Sequence, residues 1–256
     1  MIRLLSNNIS FKASITDKEI DEIKNAKQHF SDCYLISTLE SFTQTETGRE
    51  ILKQQVQRDD TNPYQINLKL FNKNGQKELY KIPTNIVLDN YKKLYKYQPN
   101  DIIRSFNISL NEHEKRYKDK PLICQIRDNF KTYKFEYNLP SNFMKMLTGI
   151  EPRVIGESDI NINLVKYKKE VLELLKKMQE EKNYNFVIST GIKPLNGHYW
   201  HVYTIQDVNL EKNTITIKEK RENTPTTMSI DKALKTFKFI AGYLDSDLQQ
   251  YPFEHK

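Results

Sequence analysis

The feature that most constrains this chain is an apolar helical pattern that begins directly at a cysteine. Leu35 and Leu39 lie one helical turn apart just after Cys33, and further apolar residues continue the spacing of a helix with one buried face. Ser31 or Asp32 can cap the N-terminus of this helix. Cys33 then lies in the first turn, where backbone N–H groups and the helix dipole favour a thiolate. The pattern therefore predicts a nucleophilic cysteine.

A nucleophilic thiol needs a base, and a histidine far downstream is the candidate. His201 opens a strand of alternating residues, residues 207–213 are typical of a turn, and Thr214–Lys218 is predicted as a second strand. A histidine at the start of such a hairpin can face a cysteine at the start of a helix across a cleft. Cys33 and His201 together predict nucleophilic catalysis through a covalent intermediate.

Around these two residues the chain resembles the calpain-like cysteine proteases of the papain superfamily. Gln28 and residues 31–34 are similar to the glutamine and the Gly-Asp-Cys-aromatic stretch of that family. Residues 201–205 resemble its histidine motif, and residues 147–149 are similar to a Leu-Thr-Gly segment that lies between the two motifs. The resemblance extends over residues 26–239, which is most of the chain.

The resemblance implies an α+β fold with the two lobes of papain-like and calpain-like proteases. A helical N-terminal lobe is expected over residues 1–140 and carries the nucleophile helix. A strand-rich C-terminal lobe is expected over residues 141–256 and carries the base. The local pattern adds a β-hairpin at the Asn-Gly pair of residues 74–75 and an amphipathic helix over residues 163–182.

The resemblance also implies a reaction, which is the hydrolysis of peptide bonds through a thioester acyl-enzyme. Cys33 is the expected nucleophile and His201 the expected general base. Gln28 and the backbone N–H of Cys33 are expected to stabilise the oxyanion. Glu219 is expected to orient the ring of His201, with its neighbours Lys218 and Lys220 pointing the other way along the strand.

The sequence also offers alternatives for the residue that orients the base and for the base itself. Asn223 is the second candidate for the residue that orients the base, and His198, which follows a glycine as the family histidine does, competes with His201. His198 and Trp200 are expected to line the substrate-binding cleft. His198 and His201 could also bind a metal on a helix, but a strand start with no cysteine or carboxylate close by argues against it.

Three departures from the family pattern keep other functions open. Gln28 lies one residue closer to Cys33 than the family glutamine does, His201 lacks the preceding glycine, and Glu219 stands where the family has the asparagine of Asn-Pro-Trp. One alternative is a catalytically impaired calpain-like module that binds a protein partner. The other is acyl transfer or deconjugation by the same cysteine and histidine.

Composition narrows the class of protein. A chain of 256 residues with 38% hydrophobic residues suits one large domain or two packed lobes, and 7 glycines argue against a phosphate-loop enzyme. The net charge is +7, but the lysines are spread along the chain, which favours solvated faces over a nucleic-acid interface. We expect a protein or peptide substrate, no nucleic acid, no cofactor and no metal, with the oligomeric state open.

The cellular location is predicted from the absence of a membrane span and of a signal-peptide pattern in the sequence. No apolar run is long enough to span a membrane, and residues 1–13 lack the pattern of a signal peptide. We therefore expect a cytoplasmic protein, or one exported without a recognisable signal peptide. The chain has two cysteines, and a catalytic Cys33 leaves Cys124 as a packing residue in a reducing compartment rather than a disulfide partner.

Overall fold

The computed structural model describes residues 13–28, 32–84, 99–117, 139–156, 164–190, 195 and 201–253. In these ranges the protein has an α+β architecture, in which helices pack against antiparallel sheets. The positions of Ser31, Cys124, His198 and Trp200 lie outside the described residues, so the predictions made for them stay predictions.

The first part of the chain, residues 13–148, contains the strands β1 (Ala13–Ser14), β2 (Val56–Asp59), β3 (Asn62–Phe71) and β4 (Lys77–Pro83). They form an antiparallel sheet in that order. Asn67 of the long strand β3 pairs with both neighbouring strands. The hairpin predicted at residues 74–75 joins β3 to β4, and Gly75 has a φ of +74°, which a residue with a side chain rarely adopts.

The helices of the first part surround a central helix that begins at the predicted cysteine. All residues of this helix, Cys33–Phe42, are buried, because the other helices pack on one side of it and the second sheet covers the other side. The helices are α1 (Asp17–Asn25), α2 (Cys33–Phe42), α3 (Glu46–Gln55), α4 (Asp101–Tyr117) and α5 (Leu139–Thr148).

The second part of the chain, residues 153–248, contains the strands β5 (Arg153–Ile155), β6 (Tyr184–Thr190), β7 (Val202–Asn209), β8 (Thr214–Lys218), β9 (Pro225–Ser229) and β10 (Phe237–Leu244). They form another antiparallel sheet, in the order β5-β10-β6-β7-β8-β9. The predicted strand after His201 and its partner are the neighbours β7 and β8, and Ile205 pairs with Ile217 between them.

Strands β6 and β10 and the start of β7 are buried on both faces, which is why they carry apolar residues at successive positions. Val187 and Val202 face the first core, which contains α2, whereas Phe186 and Tyr203 face a second core under the predicted amphipathic helix. The helices of this part are α6 (Leu164–Glu181), α7 (Ile230–Thr236) and α8 (Asp245–Leu248).

The boundary between the two expected lobes stays a prediction. Helix α5 begins at the expected boundary, and its Phe143 and Leu147 lie in the same core as α2. The first part is rich in helices, as expected, but it also contains the sheet of β1 to β4. Among the described helices, none combines the length and the hydropathy that a membrane span requires.

Candidate active site

Buried hydrogen bonds fix the nucleophile helix against the strand that follows His201. Ser37 Oγ donates to the carbonyl of Val202 at 3.0 Å, and Thr204 Oγ1 donates to the carbonyl of Ser37 at 3.1 Å. Cys33 lies one turn before Ser37, which is about 6 Å along the helix axis, and His201 directly precedes Val202. The two candidate catalytic residues therefore lie at the same end of the α2–β7 contact.

Cys33 occupies the first position of α2, as the sequence predicts, and is 8% exposed. Asp32 is the N-cap residue, and its Oδ2 accepts a hydrogen bond from Asn107 Nδ2 of α4 at 3.3 Å. The thiol is thus placed beside the N–H groups of the first helical turn. A helix N-terminus lowers the pKa of a cysteine thiol, which favours the nucleophilic thiolate.

His201 and Glu219 form a short buried pair on adjacent strands. Nε2 of His201 lies 2.7 Å from Oε1 of Glu219, and the two residues are 3% and 8% exposed. The other carboxylate oxygen, Oε2, accepts from the backbone N–H of Glu222 at 2.8 Å. On the histidine side, the backbone N–H of His201 donates to Thr190 Oγ1 at 2.9 Å. Both partners are therefore held in position.

The electrostatics of this pair fix the protonation of the ring. Burial raises the pKa of Glu219, but the hydrogen bonds from His201 and from the backbone N–H groups of Glu222 and Arg221 lower it by more, so that the pKa falls to about 2. Glu219 is thus a carboxylate at neutral pH, and the Nε2 of His201 that faces it carries a proton. Nδ1 is then the ring nitrogen that can exchange a proton with a thiol.

Tyr203 lies beside the His201–Glu219 pair. Its ring packs edge-on against the His201 ring, with the ring centres 4.9 Å apart. Burial raises the pKa of Tyr203, and the nearby Glu219 and Cys33 add to the increase, whereas Arg221 opposes it. The thiol, the carboxylate and the imidazole therefore all lie around one buried tyrosine, which the sequence analysis did not single out.

Gln28 lies at the same end of the second sheet as Glu219. Its backbone N–H donates to the carbonyl of Lys220 at 2.8 Å, and Gln28 is 7% exposed. The chain between α1 and α2 is thereby held against the residue that follows Glu219. The structure brings Gln28 to the site, and its expected bond to an oxyanion stays a prediction.

Asn223, the alternative orienting residue, makes different contacts. Its Oδ1 accepts from Lys220 Nζ at 3.1 Å, and its Nδ2 donates to the carbonyl of Asn25 at the end of α1 at 3.4 Å. Asn223 has a φ of +59°, a left-handed conformation that asparagine tolerates better than most residues. The contact to His201 is thus made by Glu219, whereas Asn223 supports the turn of residues 219–223.

The charged cluster beside the site was missed by the sequence analysis. Glu40 is a fully buried residue of α2, and both Lys218 and Lys220 reach its carboxylate. These lysines point away from His201, as the predicted alternation around Glu219 requires. The signal for the cluster was the presence of Glu40 inside an apolar helix, because a buried carboxylate needs a cationic partner.

Comparison with known proteins assigns no function to this site. Models of known protein families give no match to the chain, and curated proteins give no significant match. Within the described residues, there is no group of three or more His, Cys, Asp or Glu side chains that could hold a metal ion. The function is therefore argued from the cysteine, the histidine and the carboxylate themselves.

Proposed function

We propose that the protein is a calpain-like cysteine peptidase with a two-lobed papain-like fold. The observation that carries this proposal is the buried 2.7 Å contact between His201 and Glu219, located at the end of β7 that lies beside the start of the Cys33 helix. A nucleophile at a helix N-terminus, a base and a residue that orients the base are the parts that acyl transfer to a thiol requires. The expected substrate is a protein or a peptide.

In this mechanism His201 Nδ1 removes the proton of Cys33, and the thiolate attacks the carbonyl carbon of the scissile peptide bond. The carbonyl oxygen becomes an oxyanion, which the backbone N–H of Cys33 and the amide of Gln28 stabilise. The C–N bond then breaks, and the imidazolium gives its proton to the leaving amine. Water, deprotonated by His201, attacks the thioester, which releases the carboxylic acid and regenerates the thiol.

Glu219 performs the task of the family asparagine with an additional charge. An amide oxygen can accept from the ring N–H and fix the rotation of the ring. A carboxylate with a pKa of about 2 does the same and also stabilises the imidazolium. The departure from the family pattern at this position is therefore compatible with catalysis and favours an ion pair of thiolate and imidazolium.

The two other functions make different use of the same residues. In a module that only binds a partner, the His201–Glu219 contact is part of the core and Cys33 has no special reactivity. In an acyltransferase, Cys33 forms the same thioester, but an amine resolves it in place of water. The chemistry of the thiolate also fits a reducing compartment, which supports the proposed cytoplasmic location.

A proteolysis assay with a matched variant tests the proposed function. We expect the wild-type protein to generate new N-termini in a mixture of unfolded proteins, as measured by mass spectrometry, and Cys33→Ser to generate none because the thiolate is lost. Cys124→Ser is the control for loss of the other thiol and should match the wild type. Equal cleavage by the wild type and by Cys33→Ser would exclude Cys33 as the nucleophile.

The same assay separates the alternatives. With a primary amine added at high concentration, a peptidase yields mostly free carboxylate ends. Products that carry the amine in most molecules would instead indicate an acyltransferase. An absence of new N-termini, amine products and any covalent intermediate under all conditions would favour the module that binds a partner.

A further inference from the structure

Lys220 is a fully buried lysine directly after Glu219. Its ammonium donates to the carbonyl of Lys24 at the end of α1 at 3.0 Å and to Asn223 Oδ1 at 3.1 Å. It also lies 3.3 Å from Oε2 of Glu40. Lysine is rarely buried so completely unless each of its donors has an acceptor. The three contacts join α1, α2 and the turn of residues 219–223.

Glu40 extends this connection to the two strands of the site. Its Oε2 lies 2.9 Å from Thr204 Oγ1 and shares the hydroxyl proton with the carbonyl of Ser37, and its Oε1 lies 2.8 Å from Lys218 Nζ. One fully buried carboxylate on the nucleophile helix is therefore in contact with β7, with β8 and with Lys220. A buried ion cluster of this kind is weak evidence for stability, but it permits few alternative arrangements of the elements that it joins.

The backbone of Lys220 connects the cluster to the candidate catalytic groups. Its carbonyl accepts the hydrogen bond from Gln28, and its peptide bond follows Glu219, whose carboxylate faces His201. The lysine side chain points to Glu40, on the opposite side from Glu219. A displacement of Lys220 would consequently move Glu219 relative to His201 and release Gln28 at the same time.

We propose that Lys220 is a positioning residue, whose buried ammonium holds the turn of residues 219–223 so that Glu219 stays bonded to His201 and Gln28 stays beside the site. The expected loss of kcat rests on the proposed function, whereas the expected change in the contact between His201 and Glu219 does not. Lys220 acts through Glu219 and has no contact with the reacting atoms.

The ammonium of Lys220 loses its proton more readily than that of an exposed lysine. Burial lowers the pKa of Lys220 to about 8, and Glu40 opposes the shift while Lys218 adds to it. The groups that face the ammonium are Glu40 from α2, Lys218 from β8 and the carbonyl of Lys24 from α1, with Glu219 and Asn223 in its own turn. Because the net shift is downward, the buried site favours the neutral amine, and deprotonation above about pH 8 removes the attraction to Glu40 together with the larger cost of burying the charge.

The imidazole N–H of His201 gives a direct readout of this positioning. We expect the wild-type protein labelled with ¹⁵N-histidine to show a slowly exchanging Hε2 resonance for His201, which His201→Gln identifies by its disappearance among the five histidines. In Lys220→Met, which keeps the chain length without the charge, this resonance should weaken or vanish. Because small misplacements of catalytic groups are costly, kcat for peptide hydrolysis should fall about tenfold with little change in KM.

Lys218→Met is the matched comparison. Lys218 also neutralises Glu40 and also flanks Glu219, but it lies before the turn and is less buried than Lys220. We expect the His201 resonance and kcat of Lys218→Met to stay close to those of the wild type. Equal losses in the two variants would overturn the inference, because they would show that the total charge matters and the position of Lys220 does not.

A milder variant serves if Lys220→Met does not fold. Asn223→Gly keeps the left-handed conformation of residue 223 and removes one acceptor of Lys220, so we expect a weaker His201 resonance and a smaller loss of kcat. An unchanged resonance in Lys220→Met, or in Asn223→Gly where only that variant folds, would overturn the inference. If the wild-type protein shows the resonance but cleaves no peptide, the proposed function is contradicted. The effect of Lys220 on the contact between His201 and Glu219 can then still be measured.

Discussion

Replacing His201 by alanine is expected to lower kcat/KM for peptide hydrolysis about 10⁴-fold, because the thiol of Cys33 loses its base and the leaving amine loses its acid. Glu219 Oε1 also loses its ring partner, so a loss of stability accompanies the loss of rate. The measurement is the rate of cleavage of a peptide substrate by enzyme whose folding has been verified by circular dichroism.

A second buried histidine provides the control for stability. His113 of α4 is 4% exposed, and its Nδ1 lies 2.9 Å from the hydroxyl of Tyr80, away from the candidate site. His113→Gln should lower the melting temperature and leave kcat/KM nearly unchanged.

If His198→Ala abolishes cleavage while His201→Ala retains it, the base is His198 and the mechanism proposed for His201 is wrong.

Substitutions of Glu219 are expected to have the second largest effect. Glu219→Ala should lower kcat on the order of 10³-fold, because the ring of His201 loses the acceptor that fixes its tautomer and rotation. Glu219→Asn keeps an acceptor and should retain most of the activity. Asn223→Gly should lose much less activity than Glu219→Ala, since Asn223 contacts Lys220 and α1 rather than His201. Loss of activity in Asn223→Gly alone would transfer the orienting role to Asn223.

The pH profile of Glu219→Asn distinguishes a carboxylate from an amide. The pKa of Glu219 is about 2, so the group stays ionised through the whole range of an activity assay. Its charge favours the imidazolium and therefore raises the pKa of the base. The amide removes this charge, and the upper pH limit of activity should move to lower pH. An upper limit that moves to higher pH would contradict the assigned role of the charge.

Local features of the site could be predicted from the sequence because they depend on residues close together in the chain. The spacing of Leu35 and Leu39 places Cys33 at the start of α2, and the alternation after His201 gives the β7–β8 hairpin. The same alternation gives opposite directions to Glu219 and to its two lysine neighbours, which is the arrangement found in the structure.

Contacts between distant segments could not be predicted in this way. The cluster of Glu40 and Lys220 joins α2 to the end of β8, and the sequence contains no spacing that pairs them. The choice between Glu219 and Asn223 depends on a turn whose left-handed residue is held by the end of α1. The place of β10 between β5 and β6 in the second sheet is likewise set by packing on both faces rather than by a local pattern.

The most direct test of the central claim is the rate at which iodoacetamide alkylates Cys33 as a function of pH. Cys124 provides a reference thiol in the same molecule, and mass spectrometry of the digested protein separates the two sites. If His201 and the helix N-terminus stabilise the thiolate, Cys33 should react at least about tenfold faster than Cys124 near pH 6, where an ordinary thiol with a pKa of about 8.5 is almost fully protonated. Slow and equal alkylation of both cysteines, with the pH dependence of an ordinary thiol, would contradict a nucleophilic Cys33.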